Sequence, residues 1–392
     1  MKKLHIVSEL FYPNKTSTAY IMTELANFLS SYYNVSVITT NIEYDNNVTD
    51  TVQDLSYEVI RKKVGNVDKN SFFNRIKSAI GSSFSLGFEL FKKVKKGENV
   101  LVVTNPFLII LIIAIIRSLK KFDYTLLVHD VFPENIIPAG LKKQDSSSYK
   151  LLKLVFDWSY KKADKVIVLG EDMKKLIIEK GVLESKVDII TNWYDDDLVS
   201  MDIDRENYLG IKDLENKIVI GFAGNIGRVQ GLEEFIECFN KSDNNNLAFV
   251  IIGDGAMQSQ LKEKFKENSN IYFLGNKPRD EQSKFLNSFD ISLVTLANGM
   301  LGLGVPSKSY NILQSGKPIL YIGDLESEID LMIKKYDCGW SFNWSDKEEI
   351  IELLKGIELA DLKDYKIKNQ ELANSKFNSS IVKNQFLTVL NK

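Results

Sequence analysis

Between two short apolar segments, residues 291–296 and 319–322, the chain reads Val305-Pro306-Ser307-Lys308-Ser309-Tyr310-Asn311-Ile312-Leu313-Gln314-Ser315-Gly316-Lys317-Pro318. Three glycines precede this run, namely Gly299, Gly302 and Gly304. Glycines let backbone amides approach a ligand closely. Lys308 falls in the first turn of the predicted helix, where its charge opposes the helix dipole. The pattern favours an anion such as a diphosphate at this helix start, and the alternative is an ordinary connection with a solvated lysine.

Short apolar segments alternate with helical patterns along the chain. Predicted strands lie at residues 4–7, 35–39, 100–104, 124–128 and 166–169, and again at 218–222, 248–252, 271–274, 291–295 and 319–322. This alternation predicts α/β domains with parallel sheets covered on both faces. Because the pattern restarts after the polar stretch 195–215, we predict two doubly wound, Rossmann-like domains in tandem. Ligands of such sheets bind beyond the carboxyl ends of the strands, so a cleft between the domains is the expected site.

Bulk composition limits the class of protein. The chain has 392 residues, of which 44% are apolar and 26% charged, as in soluble globular proteins. With only Cys238 and Cys338, a disulfide framework is not expected and a reducing compartment is the simplest interpretation. Two cysteines and two histidines also argue against a structural zinc site. The apolar core of the first residues is too short for a signal peptide.

Charge is distributed unevenly along the chain. Residues 1–190 hold 27 Lys and Arg against 21 Asp and Glu, a net charge of +6, whereas the remainder holds 23 against 31, a net charge of −8. A basic half indicates an anionic partner. No RNA-binding signature and no basic helix with base-reading side chains is present. We therefore predict an anionic membrane surface as the partner, and no nucleic acid.

Two segments of the basic half bear on this membrane prediction. Residues 107–116 are the most apolar run, but they are about half as long as a membrane span, which needs roughly 20 residues. We predict a buried helix there, with a membrane-dipping element as the alternative. Residues 72–96 interleave aromatic and aliphatic side chains with lysines and an arginine. That mixture fits interfacial membrane binding, and a core helix with a solvated basic end is the equal alternative.

Five segments in chain order resemble the motifs of retaining glycosyltransferases of family 4. They are Val128-His129-Asp130-Val131-Phe132-Pro133-Glu134, Gly221-Phe222-Ala223-Gly224-Asn225-Ile226-Gly227, Ile251-Ile252-Gly253-Asp254-Gly255, Phe273-Leu274-Gly275, and the run from Val305. The start of that run, Pro-Ser-Lys, resembles a bacterial subgroup of O-antigen, colanic-acid and capsule biosynthesis. The resemblance implies a GT-B-like fold with an acceptor-side domain at 1–195, a nucleotide-sugar domain at 196–376, and a helix at 377–392 that returns to the first domain.

The resemblance also implies an activity. The expected reaction is sugar transfer with retention from a nucleotide-sugar donor, with UDP as the expected nucleotide. The expected acceptor is a lipid-linked glycan of O-antigen or capsule assembly, and the expected location is peripheral, on the cytoplasmic face of the cell membrane. A nucleotide-sugar 2-epimerase of the same fold and a non-catalytic nucleotide-sugar-binding partner are the alternatives. The sequence leaves the sugar, the base, the linkage and the oligomeric state open.

The donor site implied by the resemblance consists of Gly224, Asn225, Gly227, Arg228, Gly253, Asp254, Gly255, Gly304, Ser307, Lys308 and Asn311. Arg228 and Lys308 would supply positive charge to a leaving diphosphate without a metal. Gln230 stands where much of the family has a lysine. Leu303 and Asn311 stand where the family has two glutamates. Asn311 can still hydrogen-bond a ribose hydroxyl, and the backbone amides of Gly302 and Gly304 could bind the sugar in place of an acidic side chain at Leu303.

The catalytic residues implied by the resemblance are His129, Asp130 and Glu134. In the family a histidine at this place contacts the transferred sugar, and an acid beside the reacting carbon could stabilise oxocarbenium charge. The acceptor-side glycine loop of the family is matched by Thr16, Ser17 and Thr18. The acidic run at 195–197 is interpreted as a solvated linker rather than a metal site, since further ligands are not evident. We therefore expect no metal and no cofactor.

Overall fold

The computed structural model describes residues 1–14, 16–41, 55–64 and 72–392. Within these ranges the chain forms two parallel sheets, each flanked by helices. The α/β class and the two doubly wound units predicted from the alternation are confirmed. They follow from strands that are buried on both faces and therefore consist of continuous apolar runs.

The first sheet has, in the described residues, seven strands in the order β3-β2-β1-β4-β5-β6-β7. Their bounds are β1 Lys3–Val7, β2 Asn34–Thr40, β3 Glu58–Lys62, β4 Asn99–Val103, β5 Asp123–Leu127, β6 Lys165–Val168 and β7 Val187–Ile189. All neighbouring pairs are parallel, with β1 between β2 and β4. The chain therefore reverses its direction across the sheet at β1, and that switch point opens a crevice at the carboxyl edge.

The second sheet has six strands within the described ranges, in the order β10-β9-β8-β11-β12-β13. Their bounds are β8 Ile218–Ala223, β9 Leu247–Ile252, β10 Ile271–Gly275, β11 Ile291–Thr295, β12 Ile319–Ile322 and β13 Gly339–Phe342. The switch point lies between β8 and β11, which are paired in parallel through Ile220 and Ile291. Two clusters of buried apolar side chains cover the two faces of this sheet.

Fourteen α-helices lie in the described part of the chain. In the first half they are α1 Ser17–Leu29, α2 Phe72–Lys93, α3 Ile109–Lys120, α4 Ser147–Lys161, α5 Glu171–Glu179 and α6 Arg205–Leu209. In the second half they are α7 Leu232–Lys241, α8 Gln258–Lys264, α9 Gln282–Asn287, α10 Lys308–Gln314, α11 Glu328–Tyr336, α12 Lys347–Gly356, α13 Tyr365–Lys376 and α14 Ser379–Asn391. None of the helices so described combines the length and hydropathy that a transmembrane span requires.

The apolar segment 107–116 forms most of α3, whose inner side belongs to the first core. Ile109, Ile110 and Ile113 are fully buried there, whereas Ile115 is 53% exposed. The amphipathic segment 72–96 contains α2, whose residues Leu86 and Leu90 are fully buried in the first core. The side chains of residues 72, 73 and 75 lie outside the described part of the chain. Each segment thus has one side in the core and another side open to solvent.

The last helix, α14, packs on the first domain. Val382, Phe386 and Leu390 belong to the core of the first sheet. The ring of Phe386 lies 6.4 Å from that of Trp193, edge to face. Lys383 Nζ is 2.9 Å from Glu24 Oε2 on α1. The proposed division of the chain remains 1–195, 196–376 and 377–392.

Three hydrogen bonds donated by backbone amides hold the two domains together near the cleft. Val131 N–H donates to the carbonyl of Leu303 at 3.1 Å. The carboxylate of Asp172, on α5, accepts from Gly302 N–H at 3.1 Å. In the reverse direction, Glu328 on α11 accepts from the N–H of Glu171 at 2.9 Å. The loop before α10 is therefore anchored to the first domain.

Candidate active site

A cavity of about 650 Å³ lies between the two domains, at the carboxyl ends of both sheets. Nine of the residues predicted from the sequence line it: Ser17, His129, Asp130, Gly224, Asn225, Gly253, Gly304, Ser307 and Lys308. Both domains contribute, so the cavity exists only where the two carboxyl edges face each other. Its volume falls in the range of small-molecule sites, roughly 300–1,000 Å³.

Two glycines let the loops after β8 and β9 cross in contact. A Cβ on Gly253 would lie 1.8 Å from the carbonyl oxygen of Gly224, and one on Gly255 would lie 2.4 Å from that of Ile226. Gly253 also has a φ of 141°, which L side chains rarely adopt. Asp254 turns its carboxylate to the N–H of Gly255 at 2.7 Å. Gly255 and Asp254 thus shape the loop without lining the cavity.

Lys308 begins α10 and points into the cavity wall. Its Nζ lies 4.0 Å from the centroid of the buried Phe222 ring, a cation–π contact. A Cβ on Gly224 would be 3.6 Å from the same Nζ, so the glycine loop and the lysine are adjacent. Burial lowers the pKa of Lys308 to about 7. A bound anion would stabilise such a lysine in its ammonium form, because a nearby opposite charge favours the charged state.

Arg228 is placed differently from Lys308. It lies on the turn after Gly227 and does not line the cavity. A Cβ on Gly227 would be 2.7 Å from Asn225 Nδ2, so the side chain of Asn225 folds back over this turn. Gln230, which stands where the resemblance expects a lysine, does line the cavity. In this structure Lys308 therefore already lines the cavity beside the glycine loop, whereas Arg228 would need to turn inward to join it.

His129 and Asp130 follow β5 and face the cavity. Both of their N–H groups donate to Thr104 Oγ1, at 3.1 and 3.2 Å, which fixes the backbone there. His129 Nε2 is buried without a hydrogen-bond partner in the described structure, and burial lowers its pKa to about 4. The imidazole is therefore neutral at pH 7. Asp130 is an exposed residue, and reduced hydration inside the interdomain cavity raises the pKa of its carboxyl.

Gly304 brings the second domain against this pair. A Cβ on Gly304 would lie 3.4 Å from Asp130 Oδ1 and 3.4 Å from the carbonyl oxygen of His129. The short run from Gly304 to Lys308 therefore connects the acidic group of the first domain with the half-buried lysine of the second.

Glu134 is not brought to the cavity. Its two carboxylate oxygens each lie 2.7 Å from Nζ of Lys180, whose side chain is fully buried. Lys153 Nζ is 3.0 Å away, and Asp157 completes the cluster at 2.6 Å from Lys180. The predicted catalytic role of Glu134 is thus not supported by its position. An ion cluster that compensates a buried lysine explains its place in the chain.

Asn311 also lies behind the cavity wall. Its Oδ1 accepts from the backbone N–H of Asp195 at 2.8 Å. This arrangement corrects the interpretation of residue 195 as a solvated linker residue. The carboxylate of Asp195 also pairs with the guanidinium of Arg279 at 2.6 Å. Burial raises the pKa of Asp195, and Arg279 opposes that rise.

Arg279 joins this cluster to the cavity. Its guanidinium lies 4.4 Å from the ring centroid of Tyr20 on α1, while the residue itself lines the cavity. Asn276, Lys277 and Gln282 line the same side. This group was not predicted from the sequence. A usable signal was present, since the residues follow directly after β10 and strand ends of one sheet meet at one edge.

The acceptor-side residues divide between structure and cavity. Thr16 is the N-cap of α1, and its Oγ1 accepts from Ala19 N–H at 3.3 Å. Ser17 lines the cavity, and Thr18 does not. The amide of Gly302 is taken by Asp172, as described above, and Leu303 is buried in the first core. Of the two amides beside Leu303, that of Gly302 is therefore not available to a sugar.

These features define a class of protein. Two Rossmann-like domains with a cavity between their carboxyl edges are the arrangement of GT-B glycosyltransferases. Sucrose-phosphate synthase from Thermosynechococcus elongatus superposes with a TM-score of 0.78 at 11% identity, covering 100% of this chain and 98% of that one. HepE of Anabaena, in complex with UDP and glucose, superposes with a TM-score of 0.71 at 13% identity, covering 100% of both chains. These structural likenesses show the GT-B fold.

Sequence relatives show the family. The probable glycosyltransferase WbjE of Pseudomonas aeruginosa is 32% identical over 366 residues, which are 92% of this chain and 91% of that protein. The putative colanic acid biosynthesis glycosyl transferase WcaI of Escherichia coli strain K12 is 28% identical over 180 residues, 44% of each chain. The family described as glycosyl transferases group 1 matches residues 204–371. The chain belongs to this group 1 family and is a glycosyltransferase.

Proposed function

We propose that the protein transfers a sugar, with retention of anomeric configuration, from a nucleoside diphosphate sugar to a lipid-linked glycan. The observation that carries this proposal is Lys308, a half-buried lysine that lines the cavity beside the Gly224 loop and has its pKa lowered to about 7. Partly burying a cation without a partner anion is costly, and a donor diphosphate would offset that cost. HepE, which shares the fold, has been solved with UDP-glucose, which supports a nucleotide-sugar donor here.

In the proposed reaction, each bond that breaks or forms and each charge that develops has a partner group. The bond between the anomeric carbon and the diphosphate oxygen breaks, and its electron pair stays on that oxygen. Lys308 stabilises the developing charge as an ammonium, and electrostatic stabilisation of this kind is a large term in catalysis. The acceptor hydroxyl forms the new bond on the same face and gives its proton to the departing diphosphate. Asp130, across Gly304, lies where it can stabilise the oxocarbenium charge.

The acceptor proposal rests on the relatives rather than on the cavity. A relative is named for colanic acid biosynthesis, which makes bacterial surface polysaccharide the proposed setting. A lipid-linked acceptor would bring the protein to the cytoplasmic face of the cell membrane as a peripheral protein. We also propose that transfer proceeds without a metal, since the carboxylate of Asp195 is paired with Arg279.

The test has two stages. First, thermal shifts against a panel of UDP-, GDP-, dTDP- and ADP-sugars identify the donor, because ligand binding raises apparent stability. Second, the selected donor is incubated with lipid-linked acceptors, and the anomeric configuration of the product is determined by NMR. Transfer with retention is expected. An epimerised nucleotide sugar formed from donor alone, or transfer with inversion, would contradict the proposal.

A matched pair of variants ties the activity to the site. Lys308→Ala should reduce the thermal shift with the selected donor. Lys335→Ala, on the exposed side of α11, should leave that shift unchanged. If both variants bind donor as the parent protein does, the site assignment is wrong even when transfer is observed.

A further inference from the structure

The outer side of three neighbouring helices in the first domain is unusually apolar. On α2, Phe84 and Phe88 are 62% and 58% exposed. On α3, Leu119 is 68% exposed, and on α4 Leu154 and Trp158 are 67% and 39% exposed. Single exposed apolar residues are ordinary, but a contiguous group marks an interaction site.

The three helices lie side by side, so these residues share one surface. A Cβ on Gly87 of α2 would lie 2.3 Å from Ile112 of α3, which shows how closely the two helices pack. Lys120 at the end of α3 donates to the carbonyl of Val94, just after α2, at 3.1 Å. On the α4 side, the ring centroid of Phe107, just before α3, lies 6.5 Å from that of Phe156 on α4. We call this surface, formed by the outward sides of α2, α3 and α4, the three-helix face.

The apolar side chains of the three-helix face are not needed by the core. Leu86 and Leu90 of α2, Ile113 of α3, and Phe156 and Tyr160 of α4 face the sheet and are fully buried. Each helix thus has a separate inner apolar side that is already packed. The spacing of the exposed residues on α2 and α4, three or four positions apart, gives each helix a second apolar stripe.

The charge of the three helices selects the partner. Their sequences contain nine Lys and Arg against two acidic residues, a net charge of +7. Both acidic residues are ion-paired, Glu89 with Lys62 at 3.0 Å and Asp157 with Lys153 at 2.8 Å. Lys93 and Arg117 pair with the acidic residues Glu58 and Asp164 outside the helices, so the remaining lysines carry the positive charge of this surface. A second copy of the same positive face would be repelled, whereas a negatively charged surface would be attracted.

The position of two lysines agrees with a lipid partner. Lys92 Nζ lies 4.4 Å from the Phe88 ring centroid, and Lys162 Nζ lies 5.5 Å from that of Trp158. Exposed rings next to flexible ammonium groups match the two layers of a bilayer interface, with apolar groups at the acyl boundary and lysines at the phosphates. Each lysine near an anionic surface adds to the attraction.

We propose that the three-helix face docks on an anionic lipid bilayer. The proposal deepens the proposed function, on which it rests for its purpose of reaching a lipid-linked acceptor, although its physical basis is independent of the reaction. It extends the sequence prediction, which included α2 but assigned no surface to α4. Apolar contact and charge act together, so binding should weaken with salt without vanishing, since screening shortens to roughly 3 Å at 1 M salt.

The test uses the full chain and sedimentation with vesicles of phosphatidylcholine, with and without phosphatidylglycerol. Binding is expected only to the anionic vesicles at low salt, with partial loss at high salt. Leu119→Asp should lower the partition coefficient about tenfold, because a side chain that entered the interface is replaced by a charge. The matched control is Ile367→Asp on α13, since Ile367 and Leu119 are both 68% exposed.

The outcomes separate this inference from the proposed function. Equal failure to bind both vesicle types, or an equal loss with Ile367→Asp, would overturn the three-helix face. So would a protein that dimerises in solution and becomes monomeric with Leu119→Asp, since the occupant would then be a second copy. Donor thermal shifts are measured on the same protein preparations before vesicles are added. Vesicle binding without any donor shift would leave the three-helix face standing and remove the proposed function.

Discussion

The ammonium of Lys308 lies 4.0 Å from the centre of the Phe222 ring, in surroundings whose burial lowers the pKa of this lysine to about 7. A ring face compensates a partly buried cation only in part, by about 0.5–2 kcal/mol. The incompletely compensated charge of Lys308 therefore favours anion binding already in the free protein. This relationship leads to the first two predictions.

Lys308→Ala should lose at least about 1.5 kcal/mol of donor binding, the low end for hydrogen bonds to charged groups. Isothermal calorimetry with the selected nucleotide sugar measures this loss. Lys335→Ala is the control. Unchanged donor affinity in Lys308→Ala would remove Lys308 from the donor site.

Donor binding should take up protons at pH 8. With a pKa of about 7, Lys308 is mostly neutral at that pH in the free protein, and a bound diphosphate favours its charged form. Affinity should accordingly fall as the pH rises above about 7. Calorimetry in buffers of different ionisation enthalpy measures the protons taken up. Proton release, or uptake that persists in Lys308→Ala, would contradict this linkage.

Glu134→Ala should destabilise the protein by about 3 kcal/mol, at the lower end for a broken buried ion pair, because Asp157 remains beside Lys180. Activity per folded molecule should be retained. Urea unfolding gives the first quantity and a turnover assay the second. Stable protein with abolished turnover would restore the catalytic role that the sequence suggested.

Asp195→Ala should raise the Michaelis constant for the donor, because Arg279 would lose the carboxylate that holds it at the cavity. A loss of stability of about 1.5–3 kcal/mol is expected from the charged hydrogen bond. Asp197→Ala, at an exposed neighbouring position, is the control. Donor kinetics that are identical in both variants would show that Arg279 does not depend on Asp195.

Transfer should continue in excess chelator. The expected cation for the diphosphate is Lys308, and the carboxylate of Asp195 is occupied by Arg279. Turnover is measured with the identified donor and acceptor, with and without chelator. Activity that is lost with chelator and returns with magnesium or manganese would reverse this expectation.

The sequence predicted the fold class well because buried parallel strands leave long apolar runs. It missed three strands with weaker patterns, each at the edge of a sheet. The edge strand β3, Glu58–Lys62, mixes charged and apolar residues, and β7, Val187–Ile189, has only three residues. In the second sheet, β13 starts at Gly339, which has a φ of 154°. An edge strand has only one neighbouring strand and is less buried, so its sequence shows a weaker apolar pattern.

Site prediction was limited for a different reason. A strand-end motif fixes where the backbone of Glu134 or Asn311 lies, but not which way its side chain points. Glu134 turns to Lys180, 46 positions later, and Asn311 turns to Asp195, 116 positions earlier. No local pattern contains these partners. Lys308 was easier to identify because its glycine-rich surroundings lie within a few residues of it.

The return of α14 to the first domain has a consequence for synthesis on the ribosome. Val382, Phe386 and Leu390 fill part of the first core, yet they are made after every strand of the second sheet. Domains generally fold as units in the order in which they emerge. Here the order is partly inverted, because the second sheet has all its strands before the first domain has its last helix. A released chain that ended near residue 376 would contain every strand of the second sheet, beside a first domain whose apolar core lacks the cover of α14.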